Sequence, residues 1–159
     1  MAKEVKTNAM RILDREKVSY EMLIYKCDEF IDGSTVADML GQDHNISFKT
    51  LVAVGKSGGH YVFVVPVDDE LDLKKCASSV GEKSVELIHV KDLTSLTGYI
   101  RGGCSPIGMK KQFPTVIHES ATEYDKIIIS GGRVGTQIMI NPFDLAKVAK
   151  AEFQNIIMQ

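Results

Sequence analysis

Residues 48–66, FKTLVAVGKSGGHYVFVVP, contain two apolar runs joined by a glycine-bearing turn. They read as a β-hairpin, with strands FKTLVAVG and HYVFVVP on either side of KSGG. A period of two puts Lys49, Leu51 and Ala53 on one face of the first strand. Phe48, Thr50, Val52 and Val54 then lie on the other. Both faces are largely apolar, and so is YVFVV opposite, so this strand is expected in the middle of a sheet covered on both sides.

Outward from the hairpin, strands alternate with short helices. Upstream, residues 3–17 predict an amphipathic helix, with Val5, Ala9, Ile12 and Leu13 near one face. VSYEMLIY (18–25) reads as a strand, and GSTVADMLG as a short helix capped by Ser34 or Thr35 and stopped by Gly41. Downstream, ELDLKKCASSVG and VKDLTSLTG are helical and stop at Gly81 and Gly98. Strands TVIHES, KIIISGG and TQIMINP follow. The helix PFDLAKVAKA closes the series, with Asn141 as N-cap and Pro142 at its first position. This order predicts an α+β domain, a mixed curved or barrel-like β-sheet flanked by short helices. No repeat or linker interrupts residues 1–159, which read as one domain. No GxGxxG follows the first strand, which removes a dinucleotide-binding reading.

Composition bounds the function. The chain has 159 residues, 44% hydrophobic and 25% charged, enough to bury a core without disulfide or metal staples. Its net charge of −2 gives no global field to capture nucleic acid, so such contact needs a local patch or a partner that holds the nucleic acid. Cys27, Cys76 and Cys104 form no CxxC pair and are odd in number. With a polar N-terminus lacking a secretory signal, they fit a reducing compartment, and the expected location is the cytoplasm. The apolar runs are strand-sized, so no membrane span is expected. No HxH, HxxxH or CxxC spacing suggests a metal, and no cofactor motif is present.

Four features do not fit a plain core. Lys49 sits on the apolar central strand, where an ammonium is costly unless it snorkels to solvent or opens into a polar cleft. In the cleft it could bind a phosphate or carboxylate, or polarise an ester. Gly102-Gly103 and Gly131-Gly132 each follow an apolar stretch. They are either plain turns or backbone N–H nests for an anionic oxygen. Cys104 reads as a small apolar filler or, with a base beside it, a nucleophile; no histidine spacing supplies that base. Arg101, Lys110, Lys111 and Arg133 flank the glycine pairs. They are scattered surface charge unless the two segments meet, when they form a basic rim.

KTNAMRILD (6–14), FKTLV (48–52), GYIRGGCSPIGMKK (98–111), IIISGG (127–132) and GGRVGTQIMINPFDLAKV (131–148) together resemble the YbaK/EbsC family of aminoacyl-tRNA editing proteins. These are relatives of the editing domain inserted in bacterial prolyl-tRNA synthetases. The resemblance implies a mixed barrel-like fold. It also implies that the chain clears cysteine from Cys-tRNA(Pro), with Cys-tRNA(Cys) as a further substrate, in trans, in a ternary complex with prolyl-tRNA synthetase. It places the family's essential lysine on Lys49 and its active-site glycine loop on Gly102 and Gly103. Its pocket tyrosine falls on Tyr20 and its strand-end serine on Ser130. Gln137 stands where many relatives carry an acidic residue. The implied chemistry needs no protein nucleophile, because the cysteinyl thiol can attack its own ester and leave as a thiolactone. Two other readings remain open: hydrolytic editing of an alanyl or another small aminoacyl-tRNA, and a non-catalytic module that binds tRNA or a synthetase.

Overall fold

In the computed structural model, which describes residues 6–26 and 31–158, the chain begins with α1 (Asn8–Arg15), β1 (Tyr20–Ile24) and α2 (Gly33–Leu40). The hairpin strands follow as β2 (Phe48–Gly55) and β3 (His60–Pro66). Then come α3 (Leu73–Val80), β4 (Val85–Leu87), α4 (Val90–Thr97) and β5 (Thr115–His118). The chain continues with β6 (Ile127–Arg133), β7 (Thr136–Ile140), α5 (Pro142–Ala149) and β8 (Ala151–Gln154). Single 3₁₀ turns sit at His44–Ile46 and Glu119–Glu123.

The hairpin pairs in antiparallel register from Phe48 opposite Pro66 to Val54 opposite His60. It forms the centre of a five-stranded mixed sheet in the order β4-β2-β3-β5-β8, in which β5 lies parallel to both β3 and β8. The remaining strands make an antiparallel sheet, β1-β7-β6. One parallel bridge between Ser47 and Ile128 joins the two sheets. The α+β class and the mixed sheet therefore hold, but the barrel does not close. β4 is only three residues long and pairs with Ala53–Gly55, so among the described residues the chain meets β6 only at the Ser47–Ile128 bridge, just before β2, and Phe48–Leu51 has no strand on that edge.

The two-sided apolar pattern of the hairpin buries as its period demands. Phe48, Val52, Val62 and Val64 enter the main core with Ile127, Ile129, Ile138 and Ile140. Ala53, Phe63 and Val65 face a second cluster with Cys76 and Ala77 of α3 and Ile156. Each of the large aliphatic or aromatic side chains among these contributes about 1.5–3 kcal/mol by leaving water. Helix stops fall where the glycines put them, with Gly41, Gly81 and Gly98 all left-handed. Asn141 caps α5 by accepting from the Phe143 and Asp144 amides.

Several boundaries differ from expectation. α2 is capped by Asp32, whose carboxylate accepts from the Thr35 amide at 2.9 Å, rather than by Ser34 or Thr35. A carboxylate at this earlier position satisfies the orphan amide and favours the positive end of the helix dipole. α1 starts at Asn8, where the Thr7 hydroxyl accepts from the Met10 amide. Val5 and Cys27 lie outside the described residues. β4 and β8 are additional, the latter because Lys150 adopts φ +54° and turns the end of α5 into a strand.

Candidate active site

The parting of β2 from β6 opens a cleft of about 400 Å³. Val52 and Lys56 direct backbone groups away from β3, accepting from the Ile88 amide at 3.1 Å and donating to Ser84 at 3.0 Å. By the period of two, Thr50 directs its amide and carbonyl to the same side. Among the described residues no ladder meets them there. The cleft wall therefore includes an open strand edge, a ready source of main-chain hydrogen bonds.

The cleft gathers Lys49, Arg101, Gly102, Ser130 and Gln137, five of the residues singled out in the sequence. Lys49 is half-buried, and its ammonium has no hydrogen-bond or ion-pair partner among the described residues. Its charge is felt nearby, by Asp68. That carboxyl is held below the usual carboxylate range first by the His44 hydrogen bond and then by Ser34, with smaller Coulombic help from His44 and Lys49. The Ser130 hydroxyl accepts from the Gly132 amide at 3.4 Å. Gln137 accepts at Oε1 from Gln42 Nε2 at 2.8 Å. Val36, Leu87, Val90 and Leu93 supply an apolar wall.

The two glycine segments meet. A Cβ placed on Gly103 would lie 2.7 Å from the Arg133 Cα, so only glycine allows that crossing. The Gly103 amide donates to the Ile100 carbonyl at 2.9 Å, closing a turn whose third residue, Gly102, has φ +85°. This changes the expected division of labour. Gly103 is buried with its donor used inside the turn, whereas Gly102 is exposed at the cleft and its amide has no backbone acceptor among the described residues. Thr7 pins the second segment, its hydroxyl donating to the Gly131 carbonyl at 2.5 Å.

Other expected residues fall outside the cleft. Tyr20 pairs with Ile140, while Gln137 pairs with Leu23 on one side and Ser130 on the other. Leu23, Gln137 and Ser130 thus share one face of the sheet, and Tyr20 lies on the opposite one. There its hydroxyl donates to Asp14 at 3.1 Å. The tyrosine that lines the cleft is Tyr25, on the Leu23 side. Arg133 does not line the cleft; its Nε donates to Thr136 Oγ1 at 3.1 Å. Lys110 lies over the C-terminal end of α4, its amide donating to the Thr97 carbonyl at 2.9 Å, and Lys111 beside it is exposed. Arg101 and Arg133 therefore approach through the glycine crossing, while the two lysines belong to the neighbouring surface.

Thr50 is a site residue that the sequence did not flag. It lines the cleft, and its Oγ1 is buried with no hydrogen-bond partner. Cys104 also lines the cleft, yet burial pushes its thiol up to about 12, so it is protonated at neutral pH. Cys76 is likewise pushed up to about 12 by burial. His118 is buried and accepts from the Ile156 amide at 3.4 Å; burial lowers its pKa. Among the described residues no three His, Cys, Asp or Glu side chains converge to hold a metal ion. No described helix is long and apolar enough to cross a membrane.

Comparison with known proteins identifies the family. Residues 32–148 match the model of the aminoacyl-tRNA editing domain. The chain is 47% identical over 95% of its length, and 93% of the relative's, to EbsC of Enterococcus faecalis, a proposed Cys-tRNA(Pro)/Cys-tRNA(Cys) deacylase. It is 23% identical over 76% of its length, and 74% of the relative's, to the multifunctional Ser/Thr-tRNA deacylase ProXp-y of Escherichia coli. Among solved structures, a proposed trans-editing enzyme for prolyl-tRNA synthetase superposes with a TM-score of 0.80 at 22% identity, covering 98% of this chain and 100% of that one. At that identity the likeness concerns the fold.

Proposed function

The chain belongs to the aminoacyl-tRNA editing domain family, and from that premise we propose that it is a trans-editing deacylase that clears cysteine from Cys-tRNA(Pro). The supporting observation is the composition of the cleft. It offers an unpartnered ammonium, Lys49, facing the same space as the left-handed Gly102 turn. The thiol it contains, that of Cys104, is held protonated. A site equipped to stabilise negative charge, with its own sulfur silent, suits a substrate that brings the nucleophile.

In this reading the 3′-terminal adenosine enters the cleft with its ester near Lys49. The substrate Sγ attacks the ester carbonyl carbon, forming a C–S bond. The C–O bond to the ribose then breaks, and the thiol proton passes to the departing 3′-end hydroxyl, leaving a thiolactone. The Gly102 amide donates to the developing oxyanion, and Lys49 orients the ester or the adjoining phosphate. Ser130 and Gln137 shape the wall around the aminoacyl group. Arg101 and Arg133, with Lys110 and Lys111 on the adjoining surface, face the tRNA backbone.

Residues 1–159 act as one editing unit in the cytoplasm, with prolyl-tRNA synthetase lending tRNA selectivity in a ternary complex. A net charge of −2 leaves free tRNA binding modest and salt-sensitive. The deciding experiment offers purified protein Cys-, Ala-, Ser- and Thr-tRNA(Pro) with a trap for thiolactone. Loss of cysteine with trapped thiolactone, undiminished in Cys104→Ala, is expected. Release of alanine with cysteine untouched would overturn the substrate, and a Cys104→Ala variant without activity would overturn the silent-sulfur mechanism.

A further inference from the structure

Two of the buried side-chain oxygens that lack a partner, Gln42 Oε1 and Thr50 Oγ1, belong to the cleft wall or to its support. Gln42 follows the left-handed Gly41 that ends α2, and its own amide donates to the Ala37 carbonyl at 2.9 Å, so its backbone is clamped to the helix end. From there its side chain crosses to β7 and donates Nε2–H to Gln137 Oε1 at 2.8 Å. Gln137 stands in the central strand of its sheet, on the cleft face, in one row with Leu23 and Ser130.

We infer that Gln42 is a positioning residue that fixes Gln137 as a hydrogen-bond donor to the aminoacyl side chain, and so sets which aminoacyl groups the cleft edits. This rests on the editing function proposed above. A primary amide carries one acceptor oxygen and one NH₂. With its oxygen engaged by Gln42, Gln137 can direct only N–H into the cleft. The opposite pairing would turn both amides over and leave the Gln42 NH₂ buried without an acceptor. That would orphan two donors in place of one oxygen, and buried unpaired N–H groups are the costlier and rarer fault. The orphaned oxygen of Gln42 is thus the lesser cost of presenting a donor at Gln137.

A neutral donor in this place favours a side-chain heteroatom that accepts, and most of all one gaining negative charge. A cysteinyl sulfur becoming a thiolate fits, a seryl oxygen fits less strongly, and an alanyl methyl gives nothing. The donor also lowers the pKa of a sulfur held against it, which raises the fraction of attacking thiolate near neutral pH.

Gln42→Glu tests this directly, because a carboxylate only accepts. Gln137 must then turn its Nε2 toward residue 42 and present its oxygen to the substrate. The preference for Cys-tRNA(Pro) over Ala-tRNA(Pro), as a ratio of kcat/KM, is expected to fall by about tenfold, the worth of one hydrogen bond. The limb of the Cys-tRNA(Pro) pH–rate profile governed by the substrate thiol is expected to move to higher pH. Gln42→Met, similar in size and uncharged, is expected to lose part of the preference with its melting temperature held, which covers the case of a poorly folding Glu variant. Wild-type activity with an unchanged ratio and unchanged pH profile in the folded variants would overturn the role of Gln42 alone. Wild type inactive on every substrate would overturn the editing function and this inference with it.

Discussion

The two halves of β2 differ in one respect that decides what each does. From Ala53 to Gly55 the strand has β4 on one edge and β3 on the other, and Ala53 lies with no exposure between the layers. From Phe48 to Leu51 it keeps β3 while, among the described residues, no strand pairs with its other edge, and there Lys49 and Thr50 meet the cleft. The two polar side chains of the strand, Lys49 and Thr50, both fall in the open half, so function enters where the ladder stops and the composition changes together. A strand half-supported on one side holds its side chains rigidly while leaving backbone and polar atoms available to a ligand.

The contrast breaks most sharply at Lys49. Lys49→Ala removes an unpartnered charge, so it is expected to cost about 100-fold or more in kcat/KM with little change in melting temperature. Ala53→Leu, further along the same strand, should do the reverse. Overpacking between the layers costs about 1–3 kcal/mol of stability while activity per folded molecule is kept. Kinetics and thermal melts on both variants check this. Equal activity in wild type and Lys49→Ala would remove the catalytic reading of the open half and favour a module that only binds tRNA or a synthetase.

Next in size are the neighbouring glycines, which divide in the same way. Gly103→Ala pushes a Cβ to 2.7 Å from the Arg133 backbone, where nothing flexible can yield. About 1–3 kcal/mol of stability should be lost, read by denaturant midpoint. Gly102 has φ +85° at an exposed position. Gly102→Ala should cost about 1 kcal/mol through the left-handed backbone, but its larger effect is expected on deacylation, because the turn that aims the amide is disturbed.

Much of this was legible in the sequence, and the gaps have physical causes. The hairpin register, the glycine stops of α3 and α4 and the Asn141 cap follow from local rules, in which period and turn chemistry act within a few residues. The cleft residues Lys49, Gly102, Ser130 and Gln137 were readable through motifs that span the chain. Tyr20 was carried over by resemblance, although the period of β1 sets it on the face away from Gln137 and brings Tyr25 to the cleft side. That placement rests on the β1–β7 register, a long-range pairing that the alternation within β1 does not fix. Gln42 and the open edge at Thr50 could not be read locally, since both depend on where β4 ends and β6 diverges, contacts distant in sequence. The same distant contacts decide that the mixed sheet stays open rather than closing into a barrel.

A smaller effect concerns the clamp beside the cleft. His44 places Nε2 2.7 Å from Asp38 on α2 and Nδ1 2.8 Å from Asp68 beyond β3, and Ser34 donates to Asp68 at 2.8 Å. The Asp68 bond first, and then the Asp38 bond, raise the His44 pKa above its ordinary 6.5. A raised folded-state pKa means the contribution is complete below the unfolded value and lost as pH rises through the folded one. The depressed Asp68 carboxyl works oppositely, its contribution lost as pH falls through its own folded value. The melting-temperature advantage of wild type over His44→Gln should therefore be widest in mildly acidic solution and shrink on both sides. An advantage that grew steadily above neutrality would contradict the clamp.

The smallest expected effect separates stability from binding at a single atom. Thr50 Oγ1 is buried at the cleft with no partner. An unsatisfied buried hydroxyl costs about 1–3 kcal/mol, whereas a methyl of the same shape costs nothing comparable. Thr50→Val should therefore raise the stability of the unliganded protein by about 1 kcal/mol, or about 2–4 °C in melting temperature for a domain of this size. If the hydroxyl is kept for the substrate, the same change raises KM for the aminoacyl-tRNA and leaves kcat nearly intact, because a contact made equally in ground and transition states affects binding alone. A variant more stable and equally tight-binding would show that the open half of β2 carries this oxygen without using it. A variant more stable but weaker-binding would show that the protein gives up stability on its unpaired edge in return for recognition.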